Sequence, residues 1–315
     1  MAPTAAHCRR RFKSNPSVTS LMDLAAQLLV NTLQIGSVYV LFALGLTLIF
    51  GVMKIVNFAH GEFFSLAALI VAVLMPVLAP ALGLPLWVDF LIALMAAICA
   101  VLVLGALTYW IGFERYLRDL VGSFILSVGL ILFLQGVFVE IFTATPRPVE
   151  PIITGTISIL GGRITAQRLL IVALAIAFTA LLYLVLQRTK LGKALRAVSE
   201  DREAAMLQGI RYRTISFYGW LIGVSMAGLA GALIAPLTVS QPAIGGDYLI
   251  KAFIIIIIGG LGSIPGAIFG GLLVALIESI FGYYYDLTIA TIIMFVLVMG
   301  FLLVRPQGLM GHVER

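Results

Sequence analysis

The chain has 315 residues, of which 62% are hydrophobic and only 11% are charged. A soluble domain is roughly 45–50% apolar and about 25% charged, so a soluble fold of this composition would lack the polar surface that water requires. The net charge of +6 does not indicate nucleic-acid binding, because seven of the 20 Lys and Arg residues lie in 187–213 and four in 9–13, the pattern of short membrane-protein loops.

Apolar runs near the length of about 20 residues that spans a bilayer recur along the chain. They do not alternate between polar and apolar positions, which favours helices over barrel strands. The sequence therefore predicts an all-α, polytopic membrane helix bundle of about eight spans with broken helices. The runs are 28–50, 63–82, 90–112, 121–142, 169–186, 215–239, a glycine-broken run over 249–279, and 288–304.

Two domains of unequal size are predicted. Residues 1–22 form a basic N-terminal arm that we expect to be disordered, and residues 23–315 form a single transmembrane domain. The arm superficially matches a twin-arginine export signal, but no apolar run or cleavage site follows it. A basic juxtamembrane arm, or translation from Met22, is the favoured interpretation.

Loop charge predicts the orientation of the chain. The basic segment 187–213 is expected in the cytoplasm, which places the Pro- and Gly-rich segment 143–168 outside and segment 113–119 inside. Three apolar runs precede residue 113, so a cytoplasmic N-terminus would break the alternation. Either the N-terminus lies outside or one early segment does not cross fully, and the run 249–279 is either one broken span or two short ones.

A short cytoplasmic helix is predicted over residues 200–208. Ser199 is a favourable N-cap, Glu200, Asp201 and Glu203 place negative charge on the first turn, and Gly209 suits a left-handed terminus. A rigid element of this kind can transmit motion between a soluble partner and the membrane helices. The alternative is an ordinary surface connection. The predicted coupling residues are Arg196, Ser199, Glu200, Asp201, Glu203, Ala204, Ala205 and Gly209.

Two breaks interrupt the apolar runs at matching places in the two halves, at 51–62 and 259–266. Discontinuous helices indicate a transport pathway, although the glycines that follow the second break also suit close helix packing. Glu278 is a further carboxylate inside an apolar run. A proton relay through His60 and Glu62 is the weaker alternative, because such residues more often pair locally. The predicted pathway residues are Asn57, His60, Glu62, Gly260, Gly262 and Ser263.

No catalytic chemistry is predicted for this chain. It has no GxxxxGK[ST] phosphate loop, its three histidines are scattered, and Cys8 and Cys99 do not suit a disulfide. No metal or cofactor site is therefore expected. A membrane-embedded enzyme would need a convergent set of catalytic groups, and the sequence offers only isolated carboxylates.

Several segments of the chain together form a recognisable set of motifs. They are GSVY at 36–39, ALG at 43–45, VNFAHGE at 56–62, GKALRA at 192–197, EAA at 203–205, KAF at 251–253, GGLGSIPG at 259–266 and RPQGL at 305–309. This set resembles the LivH-type permeases of branched-chain amino acid ABC importers, and the resemblance covers nearly the whole chain after Met22.

The resemblance implies a set of partners. These are a LivM-type second permease subunit, two cytoplasmic ATPase subunits that bind the ATP, and a periplasmic substrate-binding protein. It also implies that residues 200–209 dock on an ATPase, and that the chain lies in the bacterial inner membrane and works by alternating access. The wider family includes permeases for urea and short amides, so these substrates remain an alternative to branched-chain amino acids. A stand-alone proton-coupled carrier is a less favoured alternative.

Overall fold

The computed structural model describes residues 18–117, 119–159, 162–305 and 307–310. The first helix begins at Val18, inside the predicted N-terminal arm. Residues 1–17, which make up most of that arm, lie outside the described ranges.

The described residues form eleven α-helices, and eight of them are long and apolar enough to cross a membrane. Each predicted apolar run corresponds to one helix, except the broken run, which forms two. The helices are α1 Val18–Met53, α2 His60–Leu82, α3 Leu86–Ile111, α4 Leu120–Phe142, α5 Ala166–Arg188, α6 Lys190–Glu200, α7 Arg202–Leu207, α8 Tyr212–Ile234, α9 Ile244–Gly259, α10 Ile264–Tyr284 and α11 Leu287–Val304.

One small element departs from the all-α prediction. Strands β1 Thr156–Ile159 and β2 Gly162–Thr165 pair as an antiparallel hairpin within the segment 143–168. The alternation of Thr156, Ile157, Ser158 and Ile159 is typical of a strand, but four residues are too few to stand out beside the long apolar runs.

Helix α1 is the centre of the bundle. Its most apolar window is 89% buried, whereas those of α4 and α11 are 17% buried. Helices α8 and α10 pack along α1, and Trp220 of α8 is fully buried and donates a hydrogen bond to the Gly105 carbonyl of α3 (2.8 Å). The apolar outer faces of α4 and α11 are therefore available to lipid or to other subunits.

Glycine permits the closest helix contacts. A Cβ on Gly245 of α9 would overlap the Gly61 carbonyl of α2, and the Gly245 amide donates to the Ser65 hydroxyl (2.9 Å). Gly266 and Gly271 likewise face Gly259 and Val40, so the prediction that the glycines after the second break serve packing is confirmed.

The chain turns back into the bundle between α1 and α2. Helix α1 ends at Met53, and Lys54 adopts a left-handed conformation (φ 54°). The ring of His60, which starts α2, lies against Phe42 and next to Gly45. These residues precede the end of α1 by about two to three helical turns. Residues 54–59 therefore run back along α1, and α2 begins inside the bundle.

Three contacts assign the loops to one face of the bundle. The Tyr109 hydroxyl at the end of α3 donates to the Arg213 carbonyl (3.0 Å), and Arg213 pairs with Glu114 (3.6 Å). Lys54 and Ser199 line the same cleft, so the end of α1 also lies here. The predicted shared side of 113–119 and 187–213 is confirmed, and its excess of Lys and Arg identifies it as the cytoplasmic face.

The opposite face contains the loop after α4, where Arg147 and Ser240 exchange backbone hydrogen bonds (2.9 and 3.0 Å). Because α1 ends at the cytoplasmic face, it begins outside, which agrees with the first of the two open topologies. Helix α9 has only 16 residues, yet it joins the outer segment 235–243 to the cytoplasmic loop 260–263. It is a short ninth crossing, so the described C-terminal segment lies in the cytoplasm.

This topology is testable with single cysteines in a chain that carries Cys8→Ser and Cys99→Ala. Leu84→Cys, between α2 and α3, should react with a membrane-impermeant maleimide in spheroplasts. Lys54→Cys and Glu200→Cys should react only in inverted vesicles, because both positions face the cytoplasm. Labelling of Lys54→Cys from outside would contradict the assigned direction of α1.

Candidate translocation and coupling site

Helix α6 folds back sharply from the end of α5. The Thr189 hydroxyl accepts a hydrogen bond from the Gly192 amide (3.0 Å) and caps α6. A Cβ on Gly192 would overlap the Val185 and Leu186 carbonyls, so only glycine permits this approach. Gly192, Leu195 and Val198 are buried at a spacing of three residues, while the basic residues of α6 face outwards. Helix α6 is thus an amphipathic segment lying against the bundle.

Helix α7 is capped by Asp201, not by Ser199 as predicted. Asp201 Oδ1 accepts hydrogen bonds from the Glu203 and Ala204 amides (2.9 and 3.0 Å). Ser199 is a helical residue of α6, and its hydroxyl donates to the Arg196 carbonyl (2.8 Å). The predicted helix over 200–208 is therefore shorter, at six residues, and Glu200 ends α6. Gly209 is left-handed as predicted (φ 82°).

The tip of α7 exposes apolar side chains on the charged cytoplasmic face. Ala205 is buried against the bundle, but Met206 is exposed and Leu207 is 88% exposed. Glu203 and Ala204 are also exposed. Positions next to charged loops face water and not lipid, so Met206 and Leu207 are accessible to another protein.

The pair α6–α7 also contacts the membrane helices directly. The Arg202 guanidinium lies 3.9 Å from the Tyr212 ring centroid at the start of α8, and Leu195 faces Gly219 of α8. A cleft of about 330 Å³ separates α6–α7 from the end of α1 and the first break. Its lining includes Val52, Met53, Lys54, Ile55, Val198, Ser199, Glu200 and Arg202. Helix α7 therefore contacts α8 and lies next to the end of α1.

The predicted pathway residues of the first break are buried in the helix packing. Asn57 and His60 are fully buried, and neither side chain has a hydrogen-bond partner among the described residues. His60 stacks on Phe42 with ring centroids 4.9 Å apart. Glu62 is also buried and accepts a hydrogen bond from Gln135 of α4 (3.1 Å). His60 and Glu62 share no hydrogen bond, so this structure offers no support for a proton relay, and the pathway role stays a prediction.

The second break lies at the cytoplasmic end of α9. Gly260 and Gly262 have positive φ (100° and 83°), and the Ser263 hydroxyl accepts from the Gly266 amide (3.2 Å) to cap α10. The Leu309 amide donates to the Ile258 carbonyl (2.6 Å) and covers the end of α9. Gly262 approaches Gly51 of α1, so the two breaks meet at this face.

Sequence reasoning missed an ion pair in the middle of the bundle. Lys251 Nζ of α9 lies 2.7 Å from Glu278 Oε1 of α10 and 2.6 Å from the Tyr39 hydroxyl of α1. The Tyr39 hydroxyl donates to Glu278 Oε2 (2.7 Å), which closes a ring of three hydrogen bonds. The Lys251 and Glu278 side chains are 19% and 8% exposed. The sequence signal for this pair was the presence of a lysine and a glutamate in two successive apolar segments. From the sequence, only the glutamate, Glu278, was considered.

Packed aromatic rings connect this triad, Tyr39–Lys251–Glu278, with the start of α2. Tyr248 lies 5.7 Å from Tyr39 and 4.4 Å from Phe64, measured between ring centroids. Phe64 lies 5.2 Å from Phe42, on which His60 stacks. The two helices that begin after non-helical segments, α2 and α9, therefore share one packed core.

The broken helices and the cytoplasmic helix pair agree with a family match. A family model described as branched-chain amino acid transport system / permease component matches residues 28–305. The chain belongs to this permease family.

Three relatives align with most of the chain. It is 33% identical to the BraD permease protein of the high-affinity branched-chain amino acid transport system in Pseudomonas aeruginosa, over 91% of this chain and 96% of that protein. It is 28% identical to LivH of Escherichia coli K12, with the same coverage. The ribose import permease RbsC of the same strain is 26% identical over 80% of this chain and 76% of that protein.

The triad makes a prediction about stability. Lys251→Met should cost about 3–5 kcal/mol, because it leaves the buried Glu278 carboxylate without its partner, and Glu278→Gln should cost less, because Lys251 is partly exposed. The triple variant Tyr39→Phe/Lys251→Met/Glu278→Met removes every polar group of the triad and should recover most of that loss. The measurement is the thermal midpoint of the detergent-purified permease, with Glu140→Gln at an exposed site on α4 as control. A triple variant less stable than both single variants would contradict a closed, mutually satisfied triad.

Proposed function

We propose that the permease imports branched-chain amino acids as the membrane subunit of an ATP-driven transporter. The family match and the BraD and LivH relatives support this substrate class. The proposed partners are a second, LivM-type permease subunit, two ATPase subunits that bind the ATP, and a periplasmic binding protein that delivers the amino acid. The sequence carries no phosphate-binding loop, in agreement with ATP being bound elsewhere.

The exposed tip of α7 is the observation that carries this proposal. A rigid helix capped by Asp201 presents Leu207 and Glu203 to the cytoplasm, while Arg202 binds the start of α8. Such a helix has one face for a partner and one for the bundle. It is the docking element that an ATPase needs in order to move the membrane helices.

Movement of α6–α7 would then reach the breaks through the cleft at the end of α1. The left-handed Lys54 and the non-helical residues 54–59 form a connection that can change conformation without unwinding a helix. ATP shifts the equilibrium between inward-open and outward-open states only by binding one of them more tightly. Closure of the ATPase dimer supplies that difference, and α7 transmits it.

Substitutions on α7 test the coupling. Glu203→Lys and Leu207→Asp should each reduce ATP-driven uptake at least tenfold, because they alter the charge and the apolar contact of the docking tip. Membrane levels of both variants should match the wild type, since both side chains are exposed. Glu150→Gln, on the outer face, is the control. Normal uptake in both α7 variants would remove the main support for docking.

Uptake of labelled leucine tests the substrate. Cells that contain the permease with its partners should accumulate leucine, valine should compete, and vanadate should abolish uptake. Competition by urea or acetamide alone, with no leucine uptake, would favour the amide alternative. Uptake that persists without the ATPase subunits would favour a stand-alone carrier.

A further inference from the structure

Helix α9 has a charged face that the described residues of the chain leave uncovered. Asp247 is exposed, Ile250 is 50% exposed, and the Lys251 side chain is 19% exposed. The Asp247 carboxylate forms no ion pair or hydrogen bond within the described ranges. We name Asp247, Ile250 and Lys251 the α9 face.

The α9 face lies near the middle of the bilayer. Helix α9 ends at Gly259, and Gly262 just beyond it meets Gly51 at the cytoplasmic end of α1. Lys251 and Asp247 lie 8 and 12 residues before Gly259. At 1.5 Å per residue they are about 12 and 18 Å from the cytoplasmic end of α9. Both charged residues are therefore inside the hydrocarbon zone, which is about 30 Å thick.

Lipid is an unsuitable environment for this face. A carboxylate in the hydrocarbon zone is costly, and the short Asp247 side chain cannot reach the interface as a lysine can. Its position in the first turn of α9 reduces the cost, because the helix dipole favours a negative charge there. Even with this stabilisation, the Asp247 carboxylate still needs hydrogen-bond donors. Charged residues at this depth face water-filled cavities or protein, so the α9 face meets one of these and not lipid.

The charges on the α9 face match the two ends of an amino acid. Positions i and i+4 of a helix are about 5–6 Å apart at Cβ, and here they carry a carboxylate and an ammonium. An ammonium has three N–H donors, and Lys251 uses two of them on Glu278 and Tyr39, which leaves one for a ligand. The closed triad also holds the Lys251 side chain in position. Ile250 adds an apolar surface between the two charges.

We propose that the α9 face is a binding site for a zwitterionic amino acid in the translocation pathway. Asp247 accepts hydrogen bonds from the α-ammonium group, Lys251 donates to the α-carboxylate, and Ile250 contacts the aliphatic side chain. This inference rests on the proposed import of amino acids and adds where in this subunit the amino acid binds. Urea, amides and sugars carry no such pair of charges and would gain little from this site.

Cysteine labelling tests whether the α9 face lines an aqueous cavity. Ile250→Cys is placed in the chain that carries Cys8→Ser and Cys99→Ala, and the full transporter is reconstituted in liposomes. A charged, water-soluble thiosulfonate should modify it, and saturating leucine with loaded binding protein should slow the modification at least threefold. Modification only by a lipid-soluble maleimide would show that the face meets lipid. If the partner permease blocks modification of the cysteine both with and without leucine, the face is a subunit contact. Either result would overturn the proposal.

The charge requirement is tested by uptake into the same liposomes. Asp247→Asn should lower leucine uptake at least tenfold at saturating loaded binding protein, whereas Asp247→Glu should retain at least half of it. Glu150→Gln, an exposed acid of the outer loop, should match the wild type. Equal uptake by Asp247→Asn and the wild type would overturn the ammonium contact.

Failure of the proposed function gives a different result. If the wild-type transporter shows no ATP-dependent leucine uptake, both the proposed function and the zwitterion assignment are wrong. The thiosulfonate experiment without leucine would still decide whether the α9 face is aqueous.

Discussion

Backbone polar groups must be satisfied inside a membrane, so non-helical backbone is tolerated there only where protein or water surrounds it. Both helix breaks of this permease are surrounded by protein. Residues 54–59 lie against α1, and Phe58 packs its ring between Phe124 of α4 and Phe253 of α9 (centroids 5.3 and 4.7 Å apart). The end of α9 is covered by amides of the C-terminal segment, where Leu309 and Met310 donate to Ile258 and Gly259. Each break is thus enclosed by protein, which allows α2 and α9 to begin or end away from the lipid.

The same requirement explains why so much of the fold could be predicted from the sequence. In lipid a single apolar run can satisfy its own backbone hydrogen bonds only as a helix. Each predicted run therefore forms a helix, and the broken run forms two. The short α9 was harder to interpret, because 16 residues lie at the lower limit for a span and the run continues apolar beyond Gly260. We identify α9 as a separate crossing because the loops at its two ends lie on opposite faces of the bundle. The faces themselves are defined by long-range contacts such as that between Tyr109 and Arg213.

The errors at the site have a local and a long-range cause. Ser199 and Asp201 are both good N-caps and lie two residues apart, so pattern alone did not decide between them. Asp201 is the cap because α6 continues through Glu200, and the amphipathic spacing of Leu195 and Val198 was the overlooked sign of that helix.

The triad was missed for another reason. Tyr39 and Lys251 are 212 positions apart, and no local pattern shows that α1, α9 and α10 bring them within hydrogen-bonding distance.

The polar residues of the membrane interior fall into two groups with different environments. Asn57 and His60 are enclosed in the helix packing near the first break, where unsatisfied polar groups are costly and a rearrangement of the break would relieve that cost. Asp247 and Lys251 are open to the outside of the described chain, where a cavity at a subunit boundary can hydrate them. The aromatic rings from His60 to Tyr39 join the two groups. A packed row of side chains therefore runs from the first break to the α9 face, and α6–α7 border the cleft next to that break.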